Sequence, residues 1–358
     1  MIQNGLPSDC WRLGRRPVLD GVRGAAILLV MLAHTRIEQV HAAGTVGVTM
    51  FFTLSGFLIT ALLLEERKHN GRVSLRKFYA RRALRLLPAL CLFLGAIGLM
   101  ATSLDSPVVP STTDFLGALF YVGNYTSAIH GHDTLIFHTW SLAVEEQFYI
   151  VWPLILIVVM RWGGRRLLVG IAGAGAALAV LIRGYLYLAG ADGFRLAFST
   201  DSRMDGLLVG CLAAAWMTGR TPGRNRPVLA SVALVGACTL SLVGLKSELL
   251  FVTTLVPWLT ACSILLLVQQ SHEGLLTTWP MRILGQRSYA VYLWHYPIFS
   301  MAAAVAWPWT LVGFLVAGVI TAGIAHLSWR CVEEPFLRLK ERRARSGAHQ
   351  EEVVGAAV

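Results

Sequence analysis

Eleven apolar stretches separated by short polar segments run along the chain, from about residue 18 to about residue 329. They cover roughly 18–36, 44–64, 86–104, 115–129, 147–160, 167–189, 204–218, 228–245, 249–269, 288–306 and 309–329. A helix of about 20 apolar residues is long enough to cross the hydrocarbon core of a bilayer. The fourth stretch is the exception. Residues 115–129 (FLGALFYVGNYTSAI) give only 15 positions, interrupted by Asn124 and Tyr125. No repeat of fixed period is present, and no matching pair of broken helices marks an inverted-repeat transporter.

Composition agrees with the pattern. Of 358 residues, 55% are hydrophobic and 14% charged, where a soluble domain carries about 25% charged residues. The mean hydropathy is +0.60. So few charges cannot cover a water-facing surface, and the expected fold is an all-α, polytopic membrane helical bundle. The six cysteines have no metal-ligand spacing and no disulfide pattern, so they read as small core residues and no metal is expected.

A net charge of +11 raises the question of nucleic acid, and its distribution answers it. If the N-terminus is cytoplasmic and 115–129 does not cross, 26 of the 31 Lys and Arg residues fall on the cytoplasmic side. If 115–129 does cross, the split is 16 to 15 and the bias vanishes. Cytoplasmic loops concentrate Lys and Arg. The reading is therefore about ten transmembrane helices in the cell inner (plasma) membrane, both termini cytoplasmic, with 115–129 as a re-entrant or surface-lying helix. The same count explains the basic charge without a nucleic-acid partner. Residues 1–17 are expected as a cytoplasmic N-terminal segment, 18–336 as one membrane domain, and 337–358 as a cytoplasmic, disordered tail. The run after Arg12, Arg15 and Arg16 lacks a cleavage-site pattern and reads as a first span rather than a signal peptide.

Charged groups inside spans are costly, about 2.5–3.5 kcal/mol each on insertion scales, so each is a candidate for function. Arg23 and His34 are eleven residues apart, about three turns, on one face and about 16 Å apart along the axis. Taken alone, Arg23 reads equally as a topology anchor and His34 as a packing residue. Arg82 and Arg85 project from one helix face and could grip a single anion, though such clusters are usually topology signals. The segment 138–149 (HTWSLAVEEQFY) brings Ser141, Glu145, Glu146 and Tyr149 to the start of an apolar run. Acids there also suit the helix dipole. Asp201, Arg203 and Asp205 open another span, and Arg203 is expected to neutralise one of its two neighbours. His295 lies within a later span, about two turns from its cytoplasmic end, and Glu333 closes the last one. In the ten-span topology Arg23, Arg82, Arg85 and Glu333 lie at the cytoplasmic boundary. His34, Glu145, Glu146, Asp201, Arg203 and Asp205 lie further out. That sorting suits a nucleotide-bearing donor entering from inside.

Seven stretches in this order resemble the acyltransferase-3 family of integral membrane acyltransferases. They are LDGVRGAAILLVMLAH (19–34), VGVTMFFTLSGFLIT (46–60), FYARRALRLLPAL (78–90), HTWSLAVEEQFYIVWPL (138–154), TDSRMDGLLVG (200–210), LGQRSYAVYLWHYPIF (284–299) and VEEPF (332–336). The resemblance implies transfer of an acyl group, commonly acetyl, from acyl-CoA to a hydroxyl of a carbohydrate, glycolipid or glycosylated natural product. The family's Arg-x10-His pattern falls on Arg23 and His34, and its Arg-x-x-Arg pattern on Arg82 and Arg85. One departure is Thr49-Met50, where many relatives carry an acid and an apolar residue.

The expected roles follow. His34 is the general base, with Glu146 or Asp201 orienting its ring, and Arg23, Arg82 and Arg85 hold the donor. Ser141, Glu145, Tyr149, Arg203, Asp205 and His295 contact substrate. The expected partners are acyl-CoA, a hydroxyl acceptor and the lipid bilayer, with no permanently bound cofactor. A transporter of a lipid-linked sugar would also explain the spans and buried charges, but it leaves the arginine pair without a purpose.

Overall fold

A computed structural model describes residues 11–338, apart from 15, 36, 38–39, 104–107, 131–133, 222, 225, 241–247, 270–273 and 305–310. The first ten residues and the expected tail from 339 onward lie outside the described residues. Among the described residues, fourteen α-helices follow one another and no strand occurs. They are α1 (Pro17–Ala33), α2 (Ala43–Asn70), α3 (Leu75–Ala101), α4 (Thr112–Leu119), α5 (Gly123–His130), α6 (Trp140–Trp162) and α7 (Gly164–Leu188). After these come α8 (Gly193–Phe198), α9 (Thr200–Met217), α10 (Pro227–Thr239), α11 (Glu248–Leu267), α12 (Trp279–Gln286), α13 (Ser288–Ala304) and α14 (Leu311–Ser328).

Local chemistry sets several of the boundaries. Pro17 opens α1 at a position where no backbone N–H is needed. Gly71 ends α2 in the left-handed conformation, at φ 67°. Ser74 then caps α3 by accepting from the Lys77 N–H.

Six helices among the described residues are long and apolar enough to cross a membrane: α2, α3, α6, α7, α11 and α14. The other four of the ten expected spans are helices too, but α1, α10 and α13 are too short to qualify and α9, with 18 residues, is too charged. α1 and α13 have 17 residues each, about 25 Å at 1.5 Å per residue. α10 has 13, and α9 carries Asp201, Arg203 and Asp205 in its first two turns. Ten crossings therefore rest on the charge distribution and not on helix length.

The marginal stretch 115–129 is broken. α4 and α5 have eight residues each, joined through a turn where Tyr121 adopts φ 56°. Gln147 of α6 donates to the Tyr121 carbonyl at 2.8 Å and to the Asn124 side chain at 2.9 Å. Asn124 in turn donates to the Thr200 hydroxyl at 3.1 Å. The polar residues that interrupt the stretch thus bind it to the bundle, and neither eight-residue piece could cross.

α2 is the central helix. About 78% of its apolar window is buried, against 28% for α3, α7 and α14, which present leucines and valines outward. α9 crosses α2 where two glycines let the backbones meet. A side chain on Gly56 would run into the Leu207 carbonyl, and one on Gly210 into the Thr53 carbonyl. Small residues at such crossings are how membrane helices gain close packing. Trp152 of α6 donates from Nε1 to Thr60 of α2 at 2.8 Å, fixing a third helix to the same core.

Candidate active site

Two cavities lie against α2. The larger, about 320 Å³, receives Arg23 from α1, Arg82 and Arg85 from α3, and Glu145 and Glu146 from α6. Helical spacing explains the α3 pair, since Arg82 and Arg85 are three apart and share a face, while the adjacent Glu145 and Glu146 reach the cavity from neighbouring faces of α6. The three arginines expected to hold the donor therefore meet in one space, but they are not equivalent. Arg82 donates from Nε to both oxygens of Glu146, at 2.7 and 2.8 Å, and its guanidinium stacks 3.3 Å from the Tyr149 ring centre. Arg23 has a loose contact with Asp20 on its own helix, at 3.9 Å. No ion pair engages Arg85 among the described residues. Glu145 accepts from the Tyr149 hydroxyl at 2.9 Å and from Ser55.

The smaller cavity, about 200 Å³, is lined by His34, His41, His138, Arg203, Tyr292 and Tyr296, among others. His34 caps the C-terminus of α1. Its Nδ1 lies 2.7 Å from the carbonyl oxygen of Val30, one turn back. A carbonyl only accepts, so Nδ1 carries the proton and Nε2 keeps the lone pair. His295 repeats the arrangement, with Nδ1 2.6 Å from the Tyr292 carbonyl. The His34 ring packs edge-on against His295 at 5.1 Å and Tyr296 at 5.0 Å, and His138 lies 5.4 Å from His295.

Two expectations need correction here. Neither Glu146 nor Asp201 orients His34: Glu146 is held by Arg82 and Asp201 by Arg195, and the backbone of α1 supplies the partner instead. His295 lies two turns into α13 as expected, but it is fully buried and lines neither cavity, packing against His34 instead of reaching substrate.

Val48 and Tyr292 line both cavities and so form the wall between them. The Tyr292 hydroxyl donates to the His138 carbonyl at 2.8 Å, leaving its oxygen to accept from Ser141 at 2.6 Å. Ser141 thereby acts on the wall, within the arginine cavity, rather than near His34.

The charges of the 200–210 segment distribute differently from the expectation that Arg203 neutralises an adjacent acid. Arg195 of α8 grips Asp201 with two bonds, at 2.7 and 2.6 Å, in a half-exposed pair ahead of the predicted span. That bond holds the Asp201 carboxyl below its ordinary pKa. Arg183 of α7 takes Asp205 at 2.7 Å in a fully buried pair, and also reaches Thr254 of α11 at 2.8 Å. No acid forms an ion pair with Arg203 among the described residues. Its Nη2 donates to the Thr49 hydroxyl at 3.2 Å, while Nε and Nη1 are buried and unpartnered.

A family model described as an acyltransferase domain matches residues 16–330. The chain belongs to the acyltransferase-3 family. It is an all-helical, multi-pass membrane protein. It is 31% identical over 352 residues to the "Putative peptidoglycan O-acetyltransferase YrhL" of Bacillus subtilis strain 168, covering 89% of this chain and 54% of that one. It is also 31% identical over 356 residues to the peptidoglycan O-acetyltransferase OatA of Listeria monocytogenes, covering 89% and 55%. The chain thus spans about half the length of these relatives. No solved structure matches it.

Several residues of this acyltransferase-3 site escaped the sequence reading. Ser55 gave no signal, being one small polar residue in an apolar run. Arg183 did give one, since a charge within an apolar stretch is expected to have a partner, yet it entered only the charge count. Tyr292 and His138 lay inside noted segments, but their meeting depends on a contact between residues 154 positions apart.

Proposed function

We propose that this acyltransferase-3 protein is a membrane-embedded O-acyltransferase that moves an acyl group, acetyl first of all, from acyl-CoA to a carbohydrate hydroxyl. The observation that carries the reading is the pair of cavities back to back, one rich in arginine and one holding His34, sharing Val48 and Tyr292. Guanidinium groups pair well with phosphates, and Arg23 and Arg85 are the two with capacity to spare. The donor's phosphates bind there, and its thioester points toward the Val48–Tyr292 wall. The acceptor occupies the histidine cavity. That both named relatives carry peptidoglycan O-acetyltransferase in their names supports a carbohydrate acceptor; a glycolipid or glycosylated natural product has the same hydroxyl chemistry.

The chemistry balances on one histidine. The acceptor oxygen forms a bond to the thioester carbon while its proton passes to His34 Nε2, the nitrogen with the lone pair. The tetrahedral intermediate then breaks its C–S bond, and the departing sulfur takes that proton. An ester and free CoA result. Ten spans in the plasma membrane, with both termini cytoplasmic, put the arginine cavity on the side where acyl-CoA is found.

The test is transfer itself. The chain in lipid nanodiscs, given radiolabelled acetyl-CoA and an oligosaccharide, should form a labelled, base-labile ester. Donor binding without any labelled ester, across neutral and charged saccharides, would overturn the reading.

A further inference from the structure

We propose that Arg203 is a subsite of the histidine cavity for a negative charge carried by the acceptor itself, a carboxylate or phosphate on a sugar unit. The inference rests on reading that cavity as the acceptor side.

The charge inventory in this part of the bundle is uneven. Arg183, Arg195 and Arg203 face Asp201 and Asp205, and both acids are claimed by the first two arginines. Arg203 is left without an ion pair among the described residues, at 3% exposure. Its neighbours hold it without neutralising it. Thr49 takes one N–H, and the rings of Trp140 and Phe52 lie 5.8 and 5.9 Å from its guanidinium carbon. Such rings steady a cation through their faces but do not neutralise it, and Nε and Nη1 are buried without a partner. A buried charge in this condition is destabilising unless something pairs with it.

The cavity that Arg203 lines is the space from which a ligand can reach it. No carboxylate lines that space among the described residues; its other titratable side chains are His34, His41, His138, Tyr292 and Tyr296. A volume of about 200 Å³ is small beside the roughly 300–1,000 Å³ of pockets for drug-sized ligands. It suits a single sugar unit better than a stretch of polymer. A transient oxyanion is commonly met by neutral, preorganised N–H groups. A full and permanent cation matches a ligand that is charged before reaction begins.

The experiment compares three probes on the full chain in nanodiscs: methyl glucoside, methyl glucuronide and methyl glucoside 6-phosphate. Binding is read by calorimetry, and acyl transfer is read separately with labelled acetyl-CoA. The wild type should bind one of the charged sugars at least tenfold more tightly than the neutral one. Whichever gains more identifies the carboxylate or the phosphate as the source. Arg203→Gln should erase that preference and change binding of the glucoside less than twofold. Where this variant does not fold, Arg203→Lys, which keeps the charge but loses the planar donors, should lower the preference several-fold. Equal binding of charged and neutral sugars by the wild type overturns the proposal, as does a preference that Arg203→Lys leaves intact. Transfer slowed alike for every acceptor, with the preference retained in Arg203→Gln, also overturns it and moves Arg203 to the reacting carbonyl. Arg203-dependent binding with no ester formed would sink the acyl-transfer reading alone, and ester formed without charge preference would sink this one alone.

Discussion

Arg82 spends the fork of its guanidinium on Glu146, donating from Nε to both carboxylate oxygens at 2.7 and 2.8 Å. Arg85, three residues on, lines the same cavity with no ion pair among the described residues. The two arginines of one motif therefore divide the work. Arg82 ties α3 to α6 and shapes the cavity wall, and Arg85 is available to a phosphate. Arg82→Lys should lower stability by about 1–3 kcal/mol, because lysine cannot make the planar bidentate contact. Arg85→Gln should leave the unfolding midpoint unchanged and raise KM for acyl-CoA about tenfold or more. Thermal unfolding in nanodiscs and donor kinetics, measured on both variants, check the division. Equal KM effects with no loss of stability in Arg82→Lys would restore the pair as a single anion grip.

The buried pair between Arg183 and Asp205 joins α7 to α9 and, through Thr254, to α11. Arg183→Leu leaves Asp205 charged and alone, which should cost about 3–5 kcal/mol. Arg183→Leu combined with Asp205→Leu should recover most of that loss, since removing both partners leaves nothing unpaired. Unfolding midpoints of the two variants decide it; a double variant no better than the single one would mean the pair's geometry, and not its charge, holds the helices.

The ten-span topology predicts that reporter fusions after residues 105, 135 and 195 all read as extracytoplasmic. The fusion at 135 is the sensitive one, because it follows α4 and α5. A cytoplasmic signal there would mean that residues 115–129 cross, against both the charge distribution and the bonds from Gln147 to Tyr121 and Asn124.

Much of the fold was legible because an apolar stretch is a local property. A helix lies in each of the ten expected stretches, six of the helices among the described residues are long and apolar enough to cross, and Asn124 marks the stretch that is broken. That Arg82 and Arg85 enter one cavity was legible for a related reason, since residues three apart share a helix face; that Arg23 of α1 joins them depends on the packing of two helices. Pairing was not. Arg203 stands two residues from each of its candidate acids, but Asp201 and Asp205 are taken by Arg195 and Arg183 from other helices. Sequence proximity within a helix does not fix ion pairs, because residues two apart point to different faces. The partner of His34 could have been foreseen. The last carbonyls of any helix lack intrahelical partners, and that of Val30 lies four residues before the ring it binds.

The central claim is that His34 Nε2 takes the acceptor's proton. Purified protein in nanodiscs, with labelled acetyl-CoA and a saccharide acceptor, permits turnover and donor binding to be measured side by side. His34→Ala should lower turnover by at least about 10²–10⁴-fold, the usual span for a lost general base, with donor binding and unfolding midpoint near the wild-type values. Wild-type turnover should also fall on acidification, because a ring protonated at both nitrogens cannot accept a proton. Turnover in a folded His34→Ala variant within a few-fold of the wild type would contradict the account.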